Sequence, residues 1–223
     1  MSRPLLAPLL LALLAGPAAA QAPAGLSDPD ALVRERAATS LGTGGAAAVE
    51  PAVAALADPD PYVAGAAADA LARIGEASVP ALVRALTDPR EDVRTGAAIA
   101  LGKLGPKAGG AVPALAKALA DPKEVVRWTV ANALGAVGRA ASPALPALRD
   151  AVWDRDEDVR RGAALALARI DPAAWLRAPS WETTVATVER LVPLLMKEHH
   201  VPAVSIALVK DREVAFSKAW GVA

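Results

Sequence analysis

The 223-residue chain contains no cysteine. That absence excludes disulfides, thiolate nucleophiles, cysteine-ligated zinc, iron–sulfur clusters and an acylated lipoprotein anchor. Histidine is nearly as scarce, with only His199 and His200, so a multi-histidine metal site is excluded too. Aromatic residues make up 3% of the chain although hydrophobic residues make up 54%. The apolar content is therefore mostly Ala, Leu and Val, which suits closely packed helices better than an all-β core. Neither sign of charge is in surplus: 24 Lys+Arg meet 24 Asp+Glu, with a pI near 6.8. A general binder of nucleic acid or anionic membrane needs a basic excess, so neither partner is expected. At 22% charged residues the composition is not that of a disordered chain. A long apolar run is missing as well. The stretch Leu5 to Leu14 falls short of the ~20 residues a span needs, and Pro4, Pro8 and Pro17 punctuate it.

What the N-terminus does have is the pattern of a secretory leader. Arg3 supplies a positive charge, Leu5 to Leu14 an apolar run, and Ala18-Ala19-Ala20 a small-x-small cleavage site. Residues 1–20 are expected to be a signal peptide cut after Ala20. The mature chain would then begin near Gln21, with a short linker over 21–25, and work in the periplasm or outside the cell.

A repeat fills most of the remainder. Aspartates recur at Asp28, Asp58, Asp88, Asp121 and Asp154, in steps of 30, 30, 33 and 33 residues. Pro29, Pro59, Pro89 and Pro122 follow the first four, and Arg155 follows the fifth. Five residues after each Asp stands Val33, Val63, Val93, Val126 or Val159. Arg34, Arg94, Arg127 and Arg160 come next, with Ala64 as the exception, and further on a Leu at 41, 71, 101, 134 and 167. Periods of this length signify a solenoid.

Each unit reads as two helices. The recurring Asp is expected to cap the first, with Pro at its first position and Glu91, Glu124 and Glu157 completing capping boxes. Val93, Ala97, Ala98, Leu101 and Leu104 fall on one helical face. Gly75, Gly105 and Gly138 are expected to end the first helix in a left-handed cap. A second helix follows in Val79-Pro80-Ala81-Leu82, Val112-Pro113-Ala114-Leu115 and Leu145-Pro146-Ala147-Leu148, its proline tolerable only in the first turn. One such hairpin cannot bury both faces and must stack on its neighbours. The small alanines permit close approach, so Ala97→Leu or Ala164→Leu should overpack the contact at ~1–3 kcal/mol.

The pattern "Asp-Pro-x-x-x-Val-Arg … Ala-Ala-x-x-Leu-Gly-x-Leu-Gly … Val-Pro-Ala-Leu" resembles HEAT repeats of the short, phycobilisome-lyase-like kind, over about residues 26–177. The first unit is the poorest match, with Gly42-Thr43-Gly44-Gly45 in place of the usual helix end. The resemblance implies an all-α fold, a right-handed α–α superhelix of five helical hairpins that binds other proteins and catalyses nothing. Some HEAT-like proteins bind DNA through a cationic groove. Here residues 26–177 hold 18 Lys+Arg against 19 Asp+Glu, a net charge of −1, so nucleic acid is not an expected partner. No cysteine or cofactor residue supports a lyase or chromophore role, and no cofactor is expected.

Two readings attach to the recurring arginines. Arg34, Arg94, Arg127 and Arg160 form either a ladder pairing with carboxylates of the next unit, around Asp92 and Asp158, or a row of guanidiniums for an acidic partner. The structural period favours the ladder. The acidic stretch Asp154 to Asp158 reads as first-turn carboxylates rather than a metal site. Trp128 and Trp153 depart from the consensus; packing explains both, but Trp is enriched in binding hot spots. The candidate protein-contact residues are therefore Trp128, Trp153, Arg94, Arg127 and Arg160.

After Asp171-Pro172 the period fails. Residues 178–182 read as a linker, Thr183 to about His199 as an amphipathic helix, and 204–209 and 214–221 as two strands joined by a polar turn. Val185, Val188, Leu191, Val192 and Leu195 line one side of that helix, and His199-His200 reads as its polar end. A lone helix and hairpin bury too little surface to stand as a domain. Residues 188–223 resemble the opening of the serine β-lactamase and penicillin-binding-protein-like hydrolases, where a helix leads through a Val-Pro-Gly corner into two strands. Ala203 replaces that Gly. The family's chemistry needs Ser-x-x-Lys, Tyr-x-Asn and a Lys/His-x-Gly element. None is present: Ser205 leads to Leu208, Ser217 to Trp220, and Tyr62 is followed by Val63-Ala64. No catalytic residue is assigned. The expectation is an exported scaffold for a protein partner or cell-envelope component, joined to a truncated hydrolase domain over 183–223. The alternative is a complete scaffold whose tail caps the last repeat.

Overall fold

The computed structural model describes residues 24–173, 181–198, 200–210 and 213–221. The expected leader at 1–20, most of the linker at 21–25, residues 178–180 of the second linker and His199 lie outside the described residues. The chain divides into two compact units, Met1–Trp175 and Leu176–Ala223.

The first unit is built from two helical layers. The first layer holds α1 (Ala31–Ser40), α3 (Pro61–Ile74), α5 (Glu91–Leu104), α7 (Glu124–Val137) and α9 (Glu157–Ile170). The second holds α2 (Val49–Ala55), α4 (Val79–Ala85), α6 (Val112–Ala118) and α8 (Leu145–Ala151), seven residues each. Helices so short cannot persist alone in water. Each packs on the first-layer helix of the following unit, while first-layer helices pack on one another in sequence. Leu41, Leu71, Leu101, Leu134 and Leu167, the periodic leucines, are all buried in one continuous core with Leu82, Leu115 and Leu148 of the second layer. Among the described residues the fifth unit shows only its first helix, so four two-helix units and α9 stand where five hairpins were expected.

Close approach comes from small residues. A Cβ on Gly135 of α7 would lie 3.1 Å from the Ala166 Cα of α9, so glycine lets the two backbones meet. Pro80, Pro113 and Pro146 fall in the first turn of their helices, where the missing N–H costs nothing. Gly138 ends α7 at φ 69°, ψ −140°. This is not the left-handed cap anticipated but a region with positive φ and negative ψ that only glycine enters readily. Gly75 and Gly105 do the same, and Gly45 supplies the same positive φ in the first unit, which therefore departs from the period less than its sequence suggests.

The helix starts also differ from expectation. The N-caps are Asp30, Asp60, Arg90, Lys123 and Asp156, two residues beyond the recurring Asp. Pro29, Pro59, Pro89 and Pro122 thus precede the cap, and Glu91, Glu124 and Glu157 are first helical residues, too early for a capping box. Their charge still suits the helix N-terminus. The change in step from 30 to 33 residues leaves the helices untouched. It is taken up by the 3₁₀ connectors, four residues long at Gly45–Ala48 and Gly75–Ser78 but seven at Gly105–Ala111 and Gly138–Ala144. Three residues make one 3₁₀ turn.

The second unit consists of α10 (Trp181–Glu198), β1 (Ala203–Lys210) and β2 (Glu213–Gly221), the strands paired antiparallel from Ala203 opposite Gly221 to Lys210 opposite Glu213. A bulge lies between Leu208 and Val209. α10 starts two residues before the expected helix and carries Pro193 in its interior. After it, His200 takes φ 55° while the Val201 N–H donates to the Met196 carbonyl, the ending expected of a Schellman-type cap. Of the anticipated apolar side of α10, Val192 is buried but Leu195 is exposed. Lys218 Nζ pairs with Glu189 at 2.7 Å and lies over the Trp220 ring.

Candidate protein-contact site

The recurring Asp and the recurring Arg turn out to serve one device. In each unit an oxygen of Asp28, Asp58, Asp88, Asp121 or Asp154 accepts the main-chain N–H two residues on, at 2.9 Å. These Asx turns fix the chain's entry into the helix. At Asp58, Asp121 and Asp154 the same carboxylate receives a guanidinium from the preceding unit. Arg34 reaches Asp58 with Nε at 2.8 Å and Nη2 at 3.0 Å. Arg94 reaches Asp121 at 2.6 and 3.0 Å, and Arg127 reaches Asp154 at 2.8 and 2.8 Å. Nη1 of each arginine also donates to two carbonyls of its own unit, for Arg94 those of Asp88 and Pro89. The fork is the two-point geometry that Lys cannot reproduce.

The ladder therefore exists, but its acids open the next unit; they are not the residues around Asp92 and Asp158. Arg94 and Arg127 are only 9% and 5% exposed, so their guanidiniums face the neighbouring unit. Arg160 donates to the Asp154 and Arg155 carbonyls and has no carboxylate partner among the described residues. Where Ala64 interrupts the pattern, Asp88 is held instead by Arg90 of its own unit, at 2.9 Å through both oxygens.

These contacts shift the carboxylates. The Arg90 guanidinium, with the Arg90 N–H, lowers Asp88 to about 2. Hydrogen bonding from Arg34 lowers Asp58. At Asp121 and Asp154 burial is the largest single influence and pushes upward, yet the arginine and main-chain donors outweigh it and both are lowered. A carboxyl held below its unfolded value of about 3.9 adds stability that is complete above that value and disappears as pH falls through the folded one. Urea unfolding at stepped pH should accordingly show constant stability above about pH 5 and a decline from about pH 4 toward 2. A midpoint unchanged across that interval would contradict the ladder's electrostatics.

Trp128 and Trp153 are 45% and 54% exposed and belong to different elements. Trp128 lies on α7, its indole over Gly162 of α9, where an added Cβ would meet Cδ1 at 3.3 Å. Trp153 stands in the turn after α8, at the place of Thr87 and Ala120 in the preceding units. Sequence reasoning missed the surroundings of Trp128. Ile99 on α5, Val125 on α7 and Leu165 on α9 are 39%, 44% and 50% exposed, and Tyr62 on α3 is 76% exposed. Val125, Trp128, Ile99 and Leu165 fall at steps of three and seven residues within the helical period, one outward stripe of the first layer. The signal was available: equivalent positions in other units carry Asp69, Asp92 and Asp158.

Among the described residues no group of three or more His, Cys, Asp or Glu is placed to hold a metal ion. No helix among them is long and apolar enough to cross a membrane.

The match to a family of known sequences agrees with this architecture. The family described as HEAT repeats matches residues 19–102 and 79–168. Among solved structures, the complex of CpcE and CpcF of phycocyanin lyase from Nostoc sp. PCC7120 is 22% identical, with 61% of this chain and 90% of that chain covered and a TM-score of 0.49. An engineered protein is 28% identical over 66% of this chain and 76% of its own, with a TM-score of 0.46. A designed armadillo repeat protein in complex with the peptide (KR)4 is 22% identical over 66% and 79%, also at 0.46. No curated protein matches the chain. The chain belongs to the HEAT-repeat family.

Proposed function

We propose that the chain is an exported, non-catalytic scaffold that binds a protein partner or cell-envelope component through the outward stripe of its first layer. The observation that carries this reading is the set of large apolar side chains left exposed on α5, α7 and α9, with Trp128 on the middle helix of the three and seated on α9. Apolar surface around a well-supported Trp is the composition of a binding hot spot. Arg94 and Arg127 hold the stack together and are given no contact role, whereas Trp153 remains a secondary contact.

The test is quantitative capture of the partner from an envelope extract by the purified chain and its Trp128→Ala variant. Truncation of a hot-spot residue should weaken capture by about 2 kcal/mol or more, with the helical circular dichroism unchanged. Capture of the same species in equal yield by both proteins would refute the assignment. Export is tested separately: the protein recovered from the periplasm or medium should begin at Gln21.

A second proposal concerns residues 181–223. We infer that they open a serine-hydrolase domain of the β-lactamase-like class. In support, a helix is followed by an antiparallel hairpin, and Val192 is the only buried side chain of this unit among the described residues, while Leu194, Leu195, Val201 and Val214 are exposed. Such surface calls for further cover. An open coding frame past Ala223 containing Ser-x-x-Lys would support the domain; an immediate stop would favour a tail that merely caps the repeats.

A further inference from the structure

The one interruption of the arginine ladder coincides with a cleft. Between α3 and α5 a depression of about 300 Å³ is lined by Asp58, Pro59, Ala64, Gly65, Asp92 and Thr95, with Ala68, Ile99 and Val125 as apolar walls. In three other units the arginine at this place in the period sends Nη1 to the carbonyls of the opening Asp and of the Pro after it. Here that residue is Ala64, its neighbour is Gly65, and among the described residues no side chain donates to the Asp58 and Pro59 carbonyls. The cleft thus opens beside the two residues whose counterparts offer their carbonyls to a guanidinium in those units.

Its other groups suit the same guest. Asp58 and Glu91 are occupied by Arg34 and Lys123, but Asp92 is exposed and makes no ion pair or side-chain hydrogen bond among the described residues, and no basic residue lines the cleft. The Thr95 hydroxyl is buried with no hydrogen-bond partner, whereas Thr129, one residue further along the period on α7, satisfies its own by donating to the Val125 carbonyl at 2.7 Å. A buried, unmatched hydroxyl costs stability unless something arrives to pair with it.

We propose that this cleft receives an arginine side chain from a partner polypeptide. Its guanidinium donates to the Asp58 and Pro59 carbonyls beside the charge of Asp92, and Thr95 turns about its side-chain bond to present its hydroxyl as a further acceptor. Aliphatic residues flanking the arginine rest on Ala68, Ile99 and Val125. The partner supplies in trans the two carbonyl contacts that Nη1 of Arg34, Arg94 and Arg127 makes in cis; the carboxylate those arginines also grip corresponds here to Asp88, which Arg90 already holds. This rests on the scaffold reading and adds the chemistry of the residue recognised.

The probe is acetyl-Leu-Arg-Leu-amide, titrated into the isotope-labelled full chain and followed by amide chemical shifts. The comparators are the same peptide with citrulline, which keeps the shape without the charge, and with lysine, which keeps the charge without the fork. The arginine peptide should move resonances of residues 64–68 and 92–99 and bind at least about tenfold tighter than the citrulline peptide. Ala64→Arg, which places the guanidinium on the chain itself, should abolish the shifts while keeping the unfolding midpoint at or above the parent's. Asp92→Asn, which preserves shape, should weaken binding and carries the test if Ala64→Arg does not fold. Equal titration by arginine and citrulline peptides, shifts located elsewhere or none at all, or undiminished binding to a folded Ala64→Arg chain would overturn the proposal. Capture through Trp128 is read on an intact partner without this probe. Its persistence alongside a silent titration would remove the arginine cleft and leave the scaffold standing.

Discussion

Replacing Asp154 by Ala is expected to destabilise the repeat unit by ~3–5 kcal/mol, the cost of leaving one member of a buried ion pair without the other. Arg127 would keep its two carbonyl acceptors but lose both carboxylate bonds, with its side chain only 6% exposed. The Asx turn to the Asp156 N–H would go as well. Asp154→Asn should cost less, because its amide oxygen can keep that turn. Urea unfolding monitored by circular dichroism at pH 7 measures both. A useful control is Asp69→Ala: its partner Lys103 sits on the next first-layer helix, but both side chains are close to half exposed, and exposed pairs contribute only ~0–1 kcal/mol. If Asp154→Ala fell in that smaller range, the ladder would be an ornament of the surface rather than a junction holding α7 to α9.

Ala97→Leu should cost ~1–3 kcal/mol by overpacking, since Ala97 is completely buried within the core. Ala164→Leu, which the sequence put on the same footing, should stay within about 0.5 kcal/mol. Ala98 and Ala131 occupy the place in the period that Ala164 holds, and both are fully buried, each under a following first-layer helix. Among the described residues of this unit no repeat helix follows α9, and Ala164 is only partly covered. Thermal or urea unfolding of the two variants side by side decides the matter. Equal losses would mean that the α9 alanines are as enclosed as those of α5.

The contrast shows which properties a one-dimensional pattern carries. Leucines at 41, 71, 101, 134 and 167 announced the core because burial of a helical face repeats with the helix. Prolines 80, 113 and 146 located second-layer helix starts because a proline has few other places to be. The role of the recurring Asp was hidden, since it works through a contact 24 to 27 residues away, from Arg34 to Asp58 and from Arg94 to Asp121. Nothing local distinguishes an acid that caps its own helix from one that also anchors its neighbour. The stripe around Trp128 was obscured for another reason. Ile99 and Val125 are the residue types expected in a core, and only their angular position, opposite the buried Val93 and Val126 set, reveals that they face outward. The Ala64 exception was visible as a single broken letter, yet its meaning needed the cleft it opens.

The connectors carry a lesson about growth. Because lengthening by three residues adds a whole turn of 3₁₀ helix, a segment of seven hands the chain on in the same direction as a segment of four. Increments of three are absorbed silently, whereas one or two residues would swing the next helix away from its seat. Length variation in this molecule is therefore quantised, and the spacing between Asp landmarks records how many quanta each linkage holds.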